Sequence, residues 1–491
     1  MHPDDAAAAL LGRTYSLIID GKDVPAVSGE IFATIDPANG QSLAAVPRAD
    51  RQDVDRAVTA AEAAFRRSAW STARPFERGQ VLTRLCALVR ESSEQLSMLE
   101  SLDTGKPLSQ ARGDVEGAAR YFEYYGGIAD KIEGTQVPLG PGRFAVGSRE
   151  PYGVVAIIVP WNSPINQAAR SLAPALAAGN TAVIKPAENT PLTAIRLGEL
   201  ALESGIPPGV VNVVTGFGIE AGQALAEHES VRKISFTGSV ATGQHIAGIA
   251  AERIIPSSLE LGGKSACLVF GDADLSAVVA TMIGTLTRNA GQVCSAATRV
   301  LVEAEMVEEL LDRVVDEVAT ITVGPGLADP MLGPVVSDAQ LARVLHYLEV
   351  AEQEGAVKTI GGGRYDDPEL ADGYFVEPTI LRDVAPEMRV AREEIFGPVV
   401  SVLSFDDESE AVAVANGTEY GLAAGVYTQD IARSLRVADA LDAGQVFVNG
   451  YLAGGVETPF GGYKKSGWGR EKGLEALHDY TQLKTTIFSF G

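Results

Sequence analysis

Apolar positions along the chain change their spacing, and each spacing predicts a different kind of element. Between residues 51 and 66 the apolar side chains recur at helical spacing, and residues 79–100 continue with a second amphipathic helical pattern. Residues 134–153 are instead rich in Gly and Pro, with short β-prone stretches between them. This segment predicts a loop or hairpin that projects from the body of the protein.

Beyond residue 153, short apolar runs alternate with helical stretches. We predict strands at 154–159, 181–184, 210–215 and 231–236, and helices at 168–178, 190–203 and 219–226. A second unit repeats the pattern, with strands at 266–270 and 299–302 and helices at 275–287 and 306–321. Such alternation indicates an α/β fold built on parallel sheets with crossover helices.

Composition and charge narrow the class of partner. At roughly 150 residues per domain, 491 residues predict two to four domains. The content of 46% hydrophobic and 21% charged residues excludes wholesale disorder. There are 64 acidic against 40 basic side chains, a net charge of −24 that repels phosphate backbones and anionic membrane surfaces. We therefore expect neither nucleic acid nor a membrane as a partner.

The cysteines and histidines favour a reduced, metal-free protein. Cys86, Cys267 and Cys294 have no CxxC spacing, and no pair of the five histidines has metal-ligand spacing. We expect no metal site and no disulfide framework, and a cytoplasmic location. The acidic N-terminus lacks the basic region of a signal peptide, and the longest apolar run, around 153–159, is too short to span a bilayer.

Two stretches predict contacts to a nucleotide. The strand at 233–236 leads through Gly238 and Ser239 into a predicted helix at 240–251, and a helix N-terminus can bind a pyrophosphate. An ordinary capped helix fits equally well, because Ser239 is a good N-cap residue. Lys185 and Glu188 follow another strand, where a carboxylate can accept ribose hydroxyls, although a solvated charge pair is the simpler interpretation.

Three further residues carry candidate chemistry. Cys294 lies in a loop of small residues that leaves a thiol accessible, whereas Cys86 and Cys267 fall in an amphipathic helix and an apolar strand and are predicted to be structural. Glu260 stands beside a glycine pair, and a desolvated glutamate can act as a base. Asn162 follows a buried strand, where its amide can stabilise an oxyanion. A packed cysteine, a loop glutamate and a turn are the structural alternatives.

Taken together and in order, the motifs resemble the NAD(P)-dependent aldehyde dehydrogenase superfamily from about residue 15 to the C-terminus. The matching strings are Pro160-Trp161-Asn162, Lys185-Pro186-Ala187-Glu188, Phe236-Thr237-Gly238-Ser239, Glu260-Leu261-Gly262-Gly263-Lys264, Gly291-Gln292-Val293-Cys294, Glu393-Glu394-Ile395-Phe396-Gly397-Pro398 and Pro459-Phe460-Gly461-Gly462. The resemblance implies an α/β, aldehyde dehydrogenase-like fold with a Rossmann-like cofactor domain, an α/β catalytic domain and a small β oligomerisation arm.

The resemblance also implies domain boundaries and an assembly. It places the NAD-binding domain at 1–130 and 150–261, the catalytic domain at 262–465, and the oligomerisation arm at 131–149 and 478–491. The last residues, LKTTIFSFG, predict a strand without a nearby partner. We expect this strand to extend the sheet of a neighbouring subunit, in a homodimer or homotetramer.

By the same resemblance, Cys294 attacks the aldehyde carbon as a thiolate, and the Asn162 amide holds the oxyanion together with the backbone N–H of Cys294. Hydride passes to NAD, and Glu260 activates the water that hydrolyses the thioester. The implied cofactor-binding residues are Val159, Pro160, Trp161, Lys185, Glu188, Gly218, Phe236, Gly238, Ser239, Thr242, Leu261, Gly262, Glu394 and Phe396. Glu188 favours NAD because its charge repels the extra phosphate of NADP, which Lys185 can partly offset.

The substrate is the least defined part of the resemblance. The implied substrate-contacting residues are Ser163, Asn166, Arg170, Arg288, Ser295, Gly454 and Phe460. A broad range of aliphatic or aromatic aldehydes is the main expectation. Arg170 and Arg288 match arginines of the succinate-semialdehyde branch, so an anionic semialdehyde is the alternative. A CoA-acylating dehydrogenase, a thiol hydrolase or esterase without redox chemistry, and a non-catalytic protein are the other hypotheses.

Overall fold

The structure, a computed structural model, describes residue 11 and residues 13–490. The acidic N-terminal residues, from which we expected no signal peptide, lie outside the described residues. Across the described ranges, helices cover both faces of two large sheets, and a smaller sheet stands apart, which confirms the expected α/β fold. None of the described helices has the length and apolarity needed to cross a bilayer. No group of three or more His, Cys, Asp or Glu side chains suited to a metal occurs among the described residues.

The first sheet has eight strands and a parallel centre. Its strands, in spatial order, are Lys22–Val24, Leu17–Ile19, Val211–Val213, Thr181–Lys185, Val154–Ile158, Val231–Thr237, Ser257–Glu260 and Gly467–Trp468. The strand order reverses beside Val154–Ile158. In open parallel sheets, ligands bind at the carboxyl ends of the strands at such a reversal.

The second sheet has seven strands, of which only the edge strand Val357–Ile360 is antiparallel within the described residues. The strands, in spatial order, are Val357–Ile360, Thr379–Arg382, Val399–Phe405, Arg299–Glu303, Ala266–Val269, Ala423–Tyr427 and Gln445–Val448. Two small two-stranded sheets complete the main body: Ile31–Ile35 with Ser42–Pro47, and Tyr420–Gly421 with Tyr463–Lys464.

The third sheet contains the C-terminal strand. Thr481–Ser489 pairs antiparallel with Arg143–Pro151 along its whole length, and Arg143–Pro151 pairs in turn with Thr135–Pro138. The hairpin predicted at 134–153 is therefore confirmed. The last strand, predicted to have no nearby partner, pairs within its own chain with this hairpin, which lies far away in the sequence.

The helices surround the two large sheets. They span Arg51–Arg67, Pro75–Glu91, Ser93–Thr104, Leu108–Ile128, Pro164–Ala177, Leu192–Glu203, Gln223–Glu227, Val240–Arg253, Leu275–Thr287, Val307–Val318, Asp338–Glu354, Arg389–Arg392, Glu408–Asn416, Ile431–Ala440 and Gly473–Asp479. Short 3₁₀ turns occur at Ala129–Lys131, Arg288–Gly291, Ala304–Met306 and Gly326–Ala328. The pattern at 79–100 is divided between two helices, and the helix predicted at 219–226 begins as a π turn, Gly218–Gly222.

Burial of both sheet faces explains the continuous apolar strands. Along the central strand, Val154, Ala156 and Ile158 join one apolar cluster, whereas Val155 and Ile157 join the cluster on the opposite face. Successive side chains of a strand point to opposite faces, so a sheet that is covered on both sides needs an apolar residue at every position. The same alternation recurs in the second sheet, where the cluster on one face includes the buried Cys267.

Candidate active site

An unusual backbone conformation introduces the Cys294 loop. Asn289, Ala290 and Gly291 are consecutive residues in the left-handed region, with φ values of 48°, 52° and 72°. A Cβ at Gly291 would lie 2.1 Å from the carbonyl oxygen of Gly397, so this turn requires glycine. The loop leaves Cys294 partly exposed, whereas the other two cysteines are buried, as the sequence predicted.

Cys294 lies where two cavities meet. The first cavity has a volume of about 450 Å³ and the second about 270 Å³. Cys294, Asn162 and Gln167 line both of them. The first cavity gathers all the residues expected at the substrate: Ser163, Asn166, Arg170, Arg288, Ser295, Gly454 and Phe460. A small molecule in either cavity can therefore approach the sulfur.

Hydrogen bonds fix Asn162 beside the thiol loop. Its Nδ2 donates to the carbonyl oxygen of Gln292 at 3.0 Å. The backbone carbonyl oxygen of Asn162 accepts from Asn289 Nδ2 at 2.7 Å and from Lys106 Nζ at 2.9 Å. Lys106 is buried and forms an ion pair with Asp114. The sequence motifs did not reveal Lys106, because its link to the site is a tertiary contact.

Glu260 ends its strand inside the second cavity. The side chain is buried, and neither carboxylate oxygen has a hydrogen-bond partner within the described part of the chain. Burial and the nearby Glu471 carboxylate raise the pKa of Glu260 well above its usual value, against the opposing effect of Arg170. A buried carboxyl group with both oxygens unused is suited to exchange a proton with a bound water molecule.

Arg170 lines the first cavity but already has an anionic partner. It is buried and forms an ion pair with Glu471, which also accepts a hydrogen bond from the Ser171 hydroxyl at 3.0 Å. Burial alone would lower the pKa of Arg170, but the charge of Glu471, together with smaller contributions from Tyr121, Glu260 and Cys294, outweighs burial and the pKa is raised. The guanidinium carbon stands 5.2 Å from the ring centroid of Phe460. The positive charge of Arg170 in the cavity wall is thus already balanced by the Glu471 carboxylate.

Two other cations of the first cavity have no carboxylate partner in the described chain. Arg288 is exposed, as expected of a residue at the mouth of a cavity. Lys472 is half-buried, with its Nζ 5.1 Å from the ring centroid of Phe460. Burial and the charge of Arg170 lower the pKa of Lys472 to about 8. Sequence reasoning missed Lys472, because it belongs to none of the recognised motifs.

The second cavity collects most of the residues expected at the cofactor. They are Pro160, Trp161, Gly238, Ser239, Leu261, Gly262, Glu394 and Phe396. The Trp161 and Phe396 rings meet edge to face, with 5.2 Å between their centroids. Thr237, Gln340 and Arg343 also line this cavity, although the motif analysis assigned them no role.

The remaining cofactor candidates lie outside this cavity: Val159, Lys185, Glu188, Gly218, Phe236 and Thr242. Lys185 ends its strand and donates to Glu188 Oε2 at 3.2 Å. Ser239 caps the helix Val240–Arg253 by accepting from the Thr242 backbone N–H at 3.2 Å. Val159, Lys185 and Phe236 lie at the carboxyl ends of adjacent parallel strands, so these candidates follow the same edge of the sheet.

The paired glycines after Glu260 make room for protein groups. The Gly263 N–H donates to Glu394 Oε1 at 3.1 Å, and a Cβ at Gly262 would lie 2.1 Å from Glu394 Oε2. A Cβ at Gly263 would lie 2.5 Å from the carbonyl oxygen of Cys294. Burial raises the pKa of Glu394 to about 7, against the effect of the Gly263 hydrogen bond. The glycines therefore bring Glu394 and the thiol loop into one site.

The environment of the thiol gives a first testable prediction. Burial raises the pKa of Cys294 to about 11, despite the nearby positive charge of Arg170. Below that pKa the reactive thiolate fraction grows about tenfold per pH unit, so alkylation by iodoacetamide should accelerate steadily between neutral pH and about pH 10. Mass spectrometry of labelled peptides measures the rate at Cys294, with the Cys294→Ala variant as the blank. A rate that levels off below pH 9 would contradict the raised pKa.

The chain is similar to known aldehyde dehydrogenases in both sequence and structure. A family model described as the aldehyde dehydrogenase family matches residues 24–486. An aldehyde dehydrogenase from Aspergillus niger is 42% identical over 481 residues, which cover 98% of this chain and 96% of that protein. The solved structure of PnpE from Pseudomonas sp. WBC-3 is 43% identical, with a TM-score of 0.95 over 97% of this chain and 98% of that one. The structure of an indole-3-acetaldehyde dehydrogenase variant from P. syringae, in complex with NAD+ and IAA, is 40% identical, with a TM-score of 0.96 over 100% of both chains.

Proposed function

The chain belongs to the aldehyde dehydrogenase family, and we propose that it oxidises an aldehyde to a carboxylic acid at Cys294 with NAD as the hydride acceptor. The observation that carries the proposal is the position of Cys294 at the junction of the two cavities. An aldehyde in the first cavity and a cofactor in the second meet at one sulfur atom. Such positioning converts a reaction between separate molecules into one within a single complex.

The donor set of the second cavity fits NAD. The N-terminus of the helix Val240–Arg253, which follows Ser239 beside the second cavity, offers backbone N–H groups to a pyrophosphate. Glu394 would supply a carboxylate for the nicotinamide ribose inside this cavity, and Glu188, outside it at the same edge of the sheet, would supply one for the adenosine ribose. NAD, when bound, accepts the hydride. We expect NAD to be preferred over NADP, because Glu188 would repel the additional phosphate.

In the first half of the reaction, Cys294 attacks the carbonyl carbon of the aldehyde. The thiol gives its proton to solvent water as the C–S bond forms, and the negative charge moves to the carbonyl oxygen. We assign the stabilisation of this oxygen to the Asn162 amide and the backbone N–H of Cys294. Asn162 uses one hydrogen-bond contact to orient its amide, which leaves a second N–H of the same group for the oxyanion. Loss of hydride from the former aldehyde carbon leaves a thioester on Cys294.

In the second half, Glu260 takes a proton from a water molecule. The resulting hydroxide adds to the thioester carbon, the C–S bond breaks, and the carboxylic acid leaves as the thiol is reprotonated. Support for this role comes from the buried carboxylate of Glu260, whose oxygens have no partner in the described chain. A raised pKa makes the carboxylate a stronger base once it is ionised.

Two substrate classes remain as proposals. The size of the first cavity suits a broad range of aliphatic or aromatic aldehydes. An anionic semialdehyde is the second candidate, and the cations that line this cavity favour it. Arg170, expected to hold the substrate carboxylate, already pairs with Glu471, whereas Arg288 has no such partner among the described residues.

We further propose that the sheets belong to domains with different functions. The first sheet, with 1–130 and 150–261, forms the NAD-binding domain, and 262–465 form the catalytic domain. Segments 131–149 and 478–491 form an arm that joins subunits into a homodimer or homotetramer. The exposed apolar side chains of Leu483 and Ile487 on the terminal strand support this role. The three free thiols support a cytoplasmic location.

A panel of aldehydes tests the proposed function. Neutral and anionic aldehydes are supplied with NAD or NADP, and the NADH absorbance band and the products are followed. We expect one NADH per carboxylic acid without CoA, and a kcat/KM about tenfold or more higher with NAD than with NADP. Acid formation only through a CoA thioester, or ester hydrolysis without any NADH, would support the competing functions instead.

A further inference from the structure

We infer that Lys472, together with Arg288, holds a carboxylate of the substrate in the first cavity, and so selects aldehydes that carry a second, anionic end. The inference rests on the proposed function and names the substrate class for it. It assigns a specificity role to a lysine outside every recognised motif.

The charge balance of the first cavity is the initial argument. Its charged lining residues are Lys106, Asp114, Arg170, Arg288 and Lys472. Lys106 is paired with Asp114, and Arg170 is paired with Glu471. The charges of Arg288 and Lys472 therefore remain uncompensated among the described residues. In a chain with a net charge of −24, a cavity with an excess of positive charge is well matched to an anionic ligand.

Backbone contacts direct Lys472 toward this cavity. Phe460 and Glu471 exchange backbone hydrogen bonds of 2.7 and 2.8 Å, which fixes the residue that follows Glu471. Lys472 itself has a positive φ of 61° with a ψ of 172°, immediately before the helix Gly473–Asp479. Its Nζ then lies 5.1 Å from the Phe460 ring centroid. The ammonium group is thus held in a cavity wall rather than extended into solvent.

The ammonium group of Lys472 lacks the oppositely charged partner that normally accompanies a buried charge. A charge withdrawn from water loses hydration free energy unless an opposite charge or hydrogen bonds replace the water. Burial lowers the pKa of Lys472 to about 8, and the charged or titratable groups that face it are Arg170, Arg288, Glu471 and Cys294. A substrate carboxylate would supply the missing partner and would favour the charged lysine.

The same geometry limits the length of the substrate. Cys294 and Lys472 line one cavity of about 450 Å³ and interact electrostatically. A molecule with its aldehyde carbon at the sulfur and its carboxylate at the ammonium group must therefore fit within this one cavity. The semialdehydes of short dicarboxylic acids meet this requirement, and each has a neutral counterpart of similar length among the simple aliphatic aldehydes.

Steady-state kinetics of matched substrates test the inference. Succinic and adipic semialdehydes are compared with pentanal and heptanal, in the wild type and in Lys472→Met and Lys472→Arg. A hydrogen bond to a charged group contributes about 1.5–3 kcal/mol, so Lys472→Met should lower kcat/KM for the semialdehydes about 10- to 100-fold, mainly through KM. The neutral aldehydes should change less than about twofold, and Lys472→Arg should retain most of the preference.

The pH dependence of the wild type gives a second measurement that needs no variant to fold. The ratio of kcat/KM for semialdehyde over neutral aldehyde should fall as the pH rises through about 8, where Lys472 loses its charge. This ratio should be flat with pH in Lys472→Met. Lys22→Met is the matched control, because Lys22 is exposed, lies outside both cavities and pairs with Asp20. It should leave every rate unchanged.

The outcomes separate this inference from the proposed function. Equal losses for charged and neutral aldehydes in Lys472→Met, or a wild type without preference for the semialdehydes, would overturn the role of Lys472 while aldehyde oxidation stands. No NADH from any of the four aldehydes, in any variant, would overturn the proposed function and this inference with it. Loss confined to the semialdehydes, with a pH-dependent ratio in the wild type, supports both.

Discussion

Replacement of Cys294 by alanine is expected to lower kcat for NAD reduction about ten-thousandfold or more. The thiol is proposed to form the covalent bond from which hydride is lost, and no other side chain at the junction of the cavities is a comparable nucleophile within the described chain. Stopped-flow absorbance at the NADH band with saturating aldehyde and NAD measures the effect. The protein should remain folded, with a circular dichroism spectrum like that of the wild type.

The matched control is Cys86→Ala. Cys86 is buried on the helix Pro75–Glu91, away from both cavities, and should retain the wild-type rate. NADH formation at the wild-type rate in Cys294→Ala would exclude the sulfur as the nucleophile. It would also leave the arrangement of the two cavities around Cys294 without a chemical meaning. Loss of activity in both variants would point instead to a general effect of removing a thiol.

Much of the α/β framework could be predicted because burial leaves a direct mark on the sequence. Strands such as Val154–Ile158 are apolar at every position, since both faces of the sheet are covered. The pairing of Thr481–Ser489 with Arg143–Pro151 left no such mark. Those segments are far apart in the chain, and an exposed strand has the same pattern whichever strand it pairs with.

In the candidate site, too, some residues could be predicted from the local sequence, whereas contacts between distant segments could not. Gly238, Ser239 and Gly262 could be found because tight turns and close backbone approaches restrict the residue type locally. The partner of Arg170 could not be found, because Glu471 reaches it through the pairing of Phe460 with Glu471. Sequence reasoning therefore identified which residues line the first cavity but not how their charges are balanced.

The protonation of the two proposed catalytic groups explains why hydrolysis needs a dedicated base. Burial raises the pKa of Cys294 to about 11, so the thiol is neutral at neutral pH, and burial also raises the pKa of Glu260 well above its usual value. Once the thiol has become a thioester, its proton is gone, and we propose that the ionised Glu260 carboxylate receives the proton of the attacking water. Of the two half-reactions, the hydrolytic half should thus depend more strongly on Glu260.

Replacement of Glu260 by glutamine is accordingly expected to separate the two half-reactions. The amide keeps the size of the side chain but cannot accept the water proton, so kcat should fall about 100- to 10,000-fold, the usual contribution of a general base. Rapid mixing of enzyme, NAD and aldehyde should still give a burst of about one NADH per active site. Mass spectrometry of the quenched enzyme should then show an acyl group on Cys294, because the thioester forms faster than it is hydrolysed.

Hydroxylamine distinguishes this outcome from simple inactivation. It attacks thioesters without a base, so it should restore turnover in Glu260→Gln and release a hydroxamate. Glu260→Asp keeps a carboxylate on a shorter side chain and should retain more activity than the glutamine variant. Steady turnover of Glu260→Gln at the wild-type rate would assign water activation to another group. A missing burst with unmodified Cys294 would move the role of Glu260 to the first half-reaction, because the proton of the thiol would then be the one that Glu260 must remove.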